Sequence, residues 1–232
     1  MKKFLLPLLA MTAVSTAQAA PFNGFFLGAQ AGISKRISTT TLSNQTLTVN
    51  NAAVSIADYS KKNRSTGLVY GLMGGYGRNL NGLYVGGELS VMFGQNNKFQ
   101  TQTVNAANGS ASYSVKTKYN HGPALTFAPR VGAIFANSYL VYARLGLSVS
   151  RDQVQNYDNT TGSSFNSSKK TKLAFVPGVG IEKAITSNLL LRLEYTYNTG
   201  SQLSSDSTGT YQARQNMKYS AHALKLGASW QF

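Results

Sequence analysis

The sequence has no cysteine, only 7 Asp and Glu, 2 His and 1 Trp among its 232 residues, and 12% of it is charged. Each shortage excludes something. Without Cys there is neither a disulfide framework nor a thiolate metal site. His121 and His222 stand apart, and Asp58, Asp152, Asp158 and Asp206 are scattered, so no chelating cluster, metal or cofactor is expected. Ordinary soluble domains carry about 25% charged residues, which argues against a cytosolic enzyme. Beyond residue 20 no apolar run approaches the ~18 residues of a membrane-spanning helix.

What is present is apolar and aromatic: 42% hydrophobic residues, 22 Gly, 13 Tyr and 11 Phe, too much material to bury for a disordered chain. The 22 Lys and Arg give a net charge of +15. The first twenty residues read as an export label. Lys2 and Lys3 form a basic start, Phe4 to Val14 an apolar stretch too short to anchor, and Ala17-Gln18-Ala19 a small-residue cleavage site. Residues 1–19 are therefore expected to be a signal peptide and 20–232 a single domain. Export also removes nucleic acid as the partner that the basic balance would otherwise imply.

From residue 25 the apolar residues recur with period two, in blocks of about ten residues. Phe25, Leu27, Ala29, Ala31 and Ile33 alternate with Gly24, Phe26, Gly28, Gln30 and Gly32. Similar blocks lie at 66–78, 83–94, 119–135, 139–150, 172–183, 189–197 and 219–232. Their connections alternate in length. Residues 79–82, 136–138 and 184–188 are short turns rich in Asn, Ser and Gly, whereas 34–65, 95–118, 151–171 and 198–218 are long polar loops. In hydrocarbon every backbone polar group must be bonded internally, so alternating strands cross a membrane only as a closed barrel. Thr46–Val49 and Ala53–Ile56 look like a hairpin in the first loop, each arm too short to cross; a ten-stranded barrel is the alternative.

The last block ends on Trp230 and Phe232, at alternate positions with Ala228, Leu226 and Leu224. With the export label and eight blocks, residues 22–232 resemble the small eight-stranded bacterial outer-membrane barrels of the outer-membrane protein A and opacity-protein type. That resemblance implies an all-β, closed antiparallel barrel in the Gram-negative outer membrane. It also implies that Trp230 and Phe232 signal to the barrel-assembly machinery. No periplasmic peptidoglycan-binding domain is expected after the last strand. Such a fold fixes architecture far better than function.

Parity sorts the charges. Glu88, Glu182 and Glu194 fall on the lumen side, as do Arg130, Arg144, Arg192 and Lys225. An Arg or Lys facing lipid at mid-membrane costs roughly 2–4 kcal/mol, so this partition is expected to be selected. The spacing predicts an ion-paired layer, with Glu88 against Arg130 and Arg144, and Glu194 against Arg192 or Lys225. Inward Gly28, Gly71, Gly86, Gly132 and Gly178 would make room. The layer serves stability and registry, or else an ion gate that opens when pairs exchange. A bulge at Pro129 or Pro177 would shift parity by one and turn Arg130 outward.

No catalytic set emerges. Ser220 and His222 share the lipid-side face without a carboxylate to orient the imidazole, and the glycines at 71–77 fit strand packing rather than a phosphate loop. Basic residues instead gather in or beside the long connections, including Lys35, Arg36, Lys61, Lys62, Arg64, Lys116, Lys118, Lys169, Lys170 and Lys172. The expected function is structural, with these cations displayed toward lipopolysaccharide, acidic polysaccharide or a host surface. The alternative is a narrow, porin-like, weakly anion-preferring channel.

Overall fold

A computed structural model describes residues 21–49, 52–56, 59–94, 98–105, 112–158, 164–200, 202–207 and 211–232. The proposed signal peptide lies outside these. The described residues form one antiparallel sheet of eleven strands: β1 (Gly24–Val49), β2 (Ala52–Ile56), β3 (Tyr59–Leu80), β4 (Leu83–Phe93), β5 (Lys98–Asn105), β6 (Ser112–Phe135), β7 (Tyr139–Asp158), β8 (Ser164–Ala184), β9 (Leu189–Asn198), β10 (Gln202–Ser207) and β11 (Tyr211–Gln231). Eight of them, β1, β3, β4, β6, β7, β8, β9 and β11, pair in that order, and β11 pairs back onto β1 to close a barrel. Among the described residues, strands β2, β5 and β10 each pair with one neighbour, β1, β6 and β11 respectively. The hairpin in the first connection forms as an extension, with Thr46 opposite Ser55, and adds nothing to the eight.

One expectation is corrected. The long polar connections are not mainly loops but continuations of the barrel strands. Strand β1 has 26 residues and β6 has 24, against 11 in β4 and 10 in β9. About 9–11 residues suffice to cross a bilayer, so the longer strands stand clear of it. Their Thr, Val and Tyr favour extended backbone, and the neighbouring strand satisfies their N–H and C=O groups.

Local chemistry explains the opposite end. Leu80 pairs with Leu83, leaving Asn81-Gly82 as a two-residue turn with φ of 53° and 93°. Both values are positive, as a hairpin turn that follows the strand twist requires, and Asn-Gly supplies them at little strain. The Gly82 N–H also donates to Asn79 Oδ1 at 2.8 Å. Ala136-Asn137-Ser138 joins β6 to β7, and Thr186 Oγ1 accepts from the N–H groups of Asn188 and Leu189 between β8 and β9.

Neither proline shifts parity. Gly87 faces Pro129 and Leu145 faces Pro177 in unbroken registers. The β6–β7 ladder passes over Ala128 and Pro129 and resumes at Arg130 opposite Arg144 in the same register. The irregularity in β6 falls instead between His121 and Ala124.

The barrel exterior is the alternate apolar set, including Leu27, Leu72, Leu89, Leu145 and Leu226. Phe25 and Tyr76 meet edge to face with ring centroids 4.9 Å apart near the turns, and Tyr70 stacks on Phe93 at 6.0 Å further up. Tyr70 and Tyr76 sit on one strand six positions apart, about 20 Å at ~3.3 Å per residue.

Candidate functional site

The candidate site is the lumen, which is built in layers. At the turn end the chain enters β1 through Phe22, whose φ of 66° is rare for a bulky side chain. Its ring is buried with Tyr84, Leu140, Tyr142 and Leu190. The Phe22 N–H donates to Gln231 Oε1 at 2.9 Å, and Gln231 Nε2 donates to the Asn23 carbonyl at 2.6 Å. An apolar stopper thus fills the barrel mouth between the short turns.

Aromatic rings form the next level. The Arg130 guanidinium lies 3.9 Å from the Tyr142 ring centroid and 5.3 Å from that of Tyr84, so its face rests on π surface while its edges remain available for hydrogen bonds. Arg192 sits 5.7 Å from the Phe26 centroid, and its Nη1 donates to Met73 Sδ at 2.8 Å.

Above the rings is the charged layer, essentially closed to solvent. Glu88 accepts from Arg192 Nη1 at 2.5 Å and Arg144 Nη1 at 3.0 Å, with Arg130 Nη1 at 3.5 Å. Glu182 takes Arg130 Nη2 at 2.5 Å and Arg192 Nε at 2.6 Å. Glu194 takes Lys225 Nζ at 2.7 Å, Arg144 Nη1 at 2.9 Å and the Tyr142 hydroxyl at 2.7 Å. All seven charged residues assigned to the lumen by parity come together here. The expected pairs of Glu88 with Arg130 and Arg144, and of Glu194 with Lys225, are present; what differs is that Arg192 belongs chiefly to Glu88 and Glu182, lying 3.9 Å from Glu194, and that Arg144 bridges Glu88 and Glu194.

Glycines flank the layer. Directly across the ladders, Glu88 faces Gly75, Arg130 faces Gly86, Arg144 faces Gly178, Glu194 faces Gly180, Arg192 faces Gly227 and Lys225 faces Gly32. A Cβ on Gly178 would fall 3.1 Å from Arg144 Cγ, so the missing side chain is the space that the guanidinium stem uses. Of the glycines expected to make room for the ion pairs, Gly178 does so; Gly86, although opposite Arg130, leaves its space to the Tyr84 ring, and Gly28, Gly71 and Gly132 face Met73, Met92 and Tyr142.

On the other side the lumen opens into a cavity of about 70 Å³, lined by Ser34, Ser90, Thr126, Ser148 and Thr196, with Arg144 and Lys225 among its walls. Higher still, Lys172 Nζ lies 4.6 Å and the Arg36 guanidinium 5.0 Å from the centroid of the Tyr219 ring. Lys172 is therefore not a surface cation, as its place beside a polar connection implied. It is buried, because the lumen parity of β8 continues above the membrane, and Arg36 is half-buried for the same reason in β1. Lys35, Lys62 and Arg64 are exposed. Lys61, Lys116, Lys118, Lys169 and Lys170 have backbones in β3, β6 and β8, and their side chains lie outside the described ones.

His222 Nδ1 lies 2.6 Å from the Tyr195 hydroxyl, and its ring 4.8 Å from that of Tyr197. This places His222 among the aromatic residues of the outer face. Among the described residues no group of His, Asp and Glu is arranged to hold a metal. Trp230 is exposed on the outer face opposite Leu27 and Leu189, and the Phe232 N–H donates to the Phe25 carbonyl at 2.8 Å. Sequence reasoning missed the stopper and the aromatic shelf. Tyr84 and Tyr142, bulky rings at lumen parity two and four positions after the turns, were the signal available.

The chain matches the family model described as the outer membrane protein beta-barrel domain over residues 4–232. Among solved structures it is similar to the outer membrane protein OprG of Pseudomonas aeruginosa, with a TM-score of 0.55, 12% identity, and coverage of 93% of this chain and 98% of that one. Neisserial surface protein A matches with a TM-score of 0.40, 15% identity and coverage of 90% and 98%. The attachment invasion locus protein Ail of Yersinia pestis, in complex with the heparin analogue sucrose octasulfate, matches with a TM-score of 0.37, 16% identity and coverage of 88% and 99%. No curated protein matches the chain.

Proposed function

Because the chain belongs to the outer-membrane β-barrel family and is a protein of the Gram-negative outer membrane, we propose that it is a non-enzymatic structural barrel, closed to through-flow, that presents a basic outer end to polyanions. The observation that carries the closure is the continuous stack of Phe22 and its apolar neighbours, the aromatic shelf and the Glu88–Arg144–Glu194 network across the lumen. An eight-stranded barrel is only wide enough to be filled by its own side chains, and here they fill it. The observation that carries the partner class is the exposure of Lys35, Lys62 and Arg64 at the end away from the short turns. In the outer membrane this end meets lipopolysaccharide phosphates first, and acidic polysaccharide or a host surface beyond them. Trp230 and Phe232 are proposed to engage the barrel-assembly machinery during insertion.

Planar-bilayer recording of the refolded protein tests the closure. No steady unitary current is expected, and a persistent current that changes in Arg144→Ala would establish the narrow channel instead. The channel reading has one observation in its favour: the lumen layer holds three Arg and one Lys against three Glu, a surplus of one cation.

A further inference from the structure

We propose that the outward-opening cavity above the charged layer is a binding site for one small oxyanion, a carboxylate or an inorganic phosphate, held by Arg144 and the surrounding hydroxyls. This inference is independent of whether the outer rim binds polyanions. Three observations converge on it. The first is charge: Glu88, Glu182 and Glu194 face Arg130, Arg144, Arg192 and Lys225, all buried, so the layer lacks one negative charge for neutrality. Buried charge of one sign is costly unless it is paired.

The second is the geometry of Arg144. Every hydrogen bond that it makes among the described residues leaves through Nη1, to Glu88 and Glu194. Its Nε is buried and has no partner there. The Nε edge of a guanidinium, with the adjacent Nη2, is the fork that receives two oxygens of a carboxylate or phosphate. The two carboxylates that Arg144 binds, Glu88 and Glu194, both lie on the Nη1 side, so neither occupies this edge.

The third is the container. Arg144 and Lys225 line the cavity together with Ser34, Ser90, Thr126, Ser148, Thr196 and Asn198, and no carboxylate is among its walls. Hydroxyls donate to oxyanions as readily as to each other, and the bond between Thr126 Oγ1 and Ser148 Oγ at 3.0 Å shows two of them already at matched height. A volume of about 70 Å³ holds a few waters, and hence an ion of four or five heavy atoms, but not a sugar. Above it, Arg36 and Lys172 lie against the Tyr219 ring on the outer side of the cavity.

The test is titration of the refolded, ¹⁵N-arginine-labelled protein in micelles with sodium phosphate, and separately with sodium acetate, at constant ionic strength set by sodium chloride. The Arg144 Nε–H resonance, assigned by its absence from Arg144→Lys, is expected to shift saturably. In a matched calorimetric titration Arg144→Lys keeps the charge but loses the fork, and should weaken phosphate affinity about tenfold or more. A second variant, Thr126→Val with Ser148→Ala, leaves the ion pairs intact and should weaken it severalfold. A Lys62→Gln, Arg64→Gln variant, altered only at the exposed rim, should bind phosphate as the wild type does. A resonance that does not move, or equal phosphate affinity in the wild type and Arg144→Lys, overturns the proposal. So does loss of phosphate binding in the rim variant, which would locate the ion on the surface.

Discussion

Arginine and lysine occur at both ends of this barrel and do opposite work. Near the short turns, Arg130, Arg144, Arg192 and Lys225 are buried, and each is bonded to a glutamate across the lumen. At the outer end, Lys35, Lys62 and Arg64 face solvent on strands that have outrun the membrane. The contrast is one of dielectric. Inside, a charge must be paired and hydrogen-bonded or it destabilises the fold, so the layer specifies geometry. Outside, water screens each charge within about 8–10 Å, so a single cation contributes little to stability while the group sets a field.

The largest effect should come from breaking the inner end. Glu88 holds three guanidinium groups, and Glu88→Gln leaves them with a neutral partner in a closed space. The expected loss is about 3–5 kcal/mol, read as a lower urea midpoint in lipid vesicles from the fluorescence of the lone Trp230. Adding Arg192→Gln should cost less than the sum of the two single changes, because the second removes a charge that the first left unpaired. A Glu88→Gln protein as stable as the wild type would mean that the lumen is wet and that the two ends do not differ in kind.

Phe22→Ala probes the seal below the charges. Its ring is buried but precedes the first ladder pair, so the loss should follow hydrophobic transfer alone, about 1.5–3 kcal/mol, with the barrel still closed. The same urea experiment measures it. A loss as large as that of Glu88→Gln would make the apolar stopper, rather than the ion network, the main determinant of the inner end.

Much of this contrast was legible in the sequence, and the reason is parity. A period of two leaves each strand residue only two directions, and lipid tolerates almost no charge in one of them. Glu88 and Arg144 were thus assigned to the lumen from alternation and counting from the turns. Pairing among the lumen residues was less legible, because it depends on strand stagger, which sets Glu194 beside Lys225 but brings Arg192 to Glu182. Phe22 was not legible, since it lies before the first alternating block and its position follows from a backbone turn. Lys172 shows where counting cations by region fails: it opens the block 172–183 beside a polar connection, and its even-numbered parity, shared with Glu182, turns it into the lumen although its neighbours in sequence are basic and polar.

The smallest effect on stability, and the clearest on binding, should come from the outer end. Lys62 and Arg64 are exposed on β3, opposite Thr39 and Ile37, with no carboxylate directly across the ladder. Lys62→Gln with Arg64→Gln should therefore leave the urea midpoint where it is. Binding of the refolded protein to immobilised heparin should weaken by severalfold at low salt, because two charges leave a field that acts over a Debye length. The difference between wild type and variant should shrink as salt approaches ~1 M, where that length falls to about 3 Å. Retention unchanged at low salt would place the attraction on other residues of the outer end. A lowered urea midpoint would show that exposed cations on these extended strands share the structural duty of the buried ones, and the division between the two ends would fail.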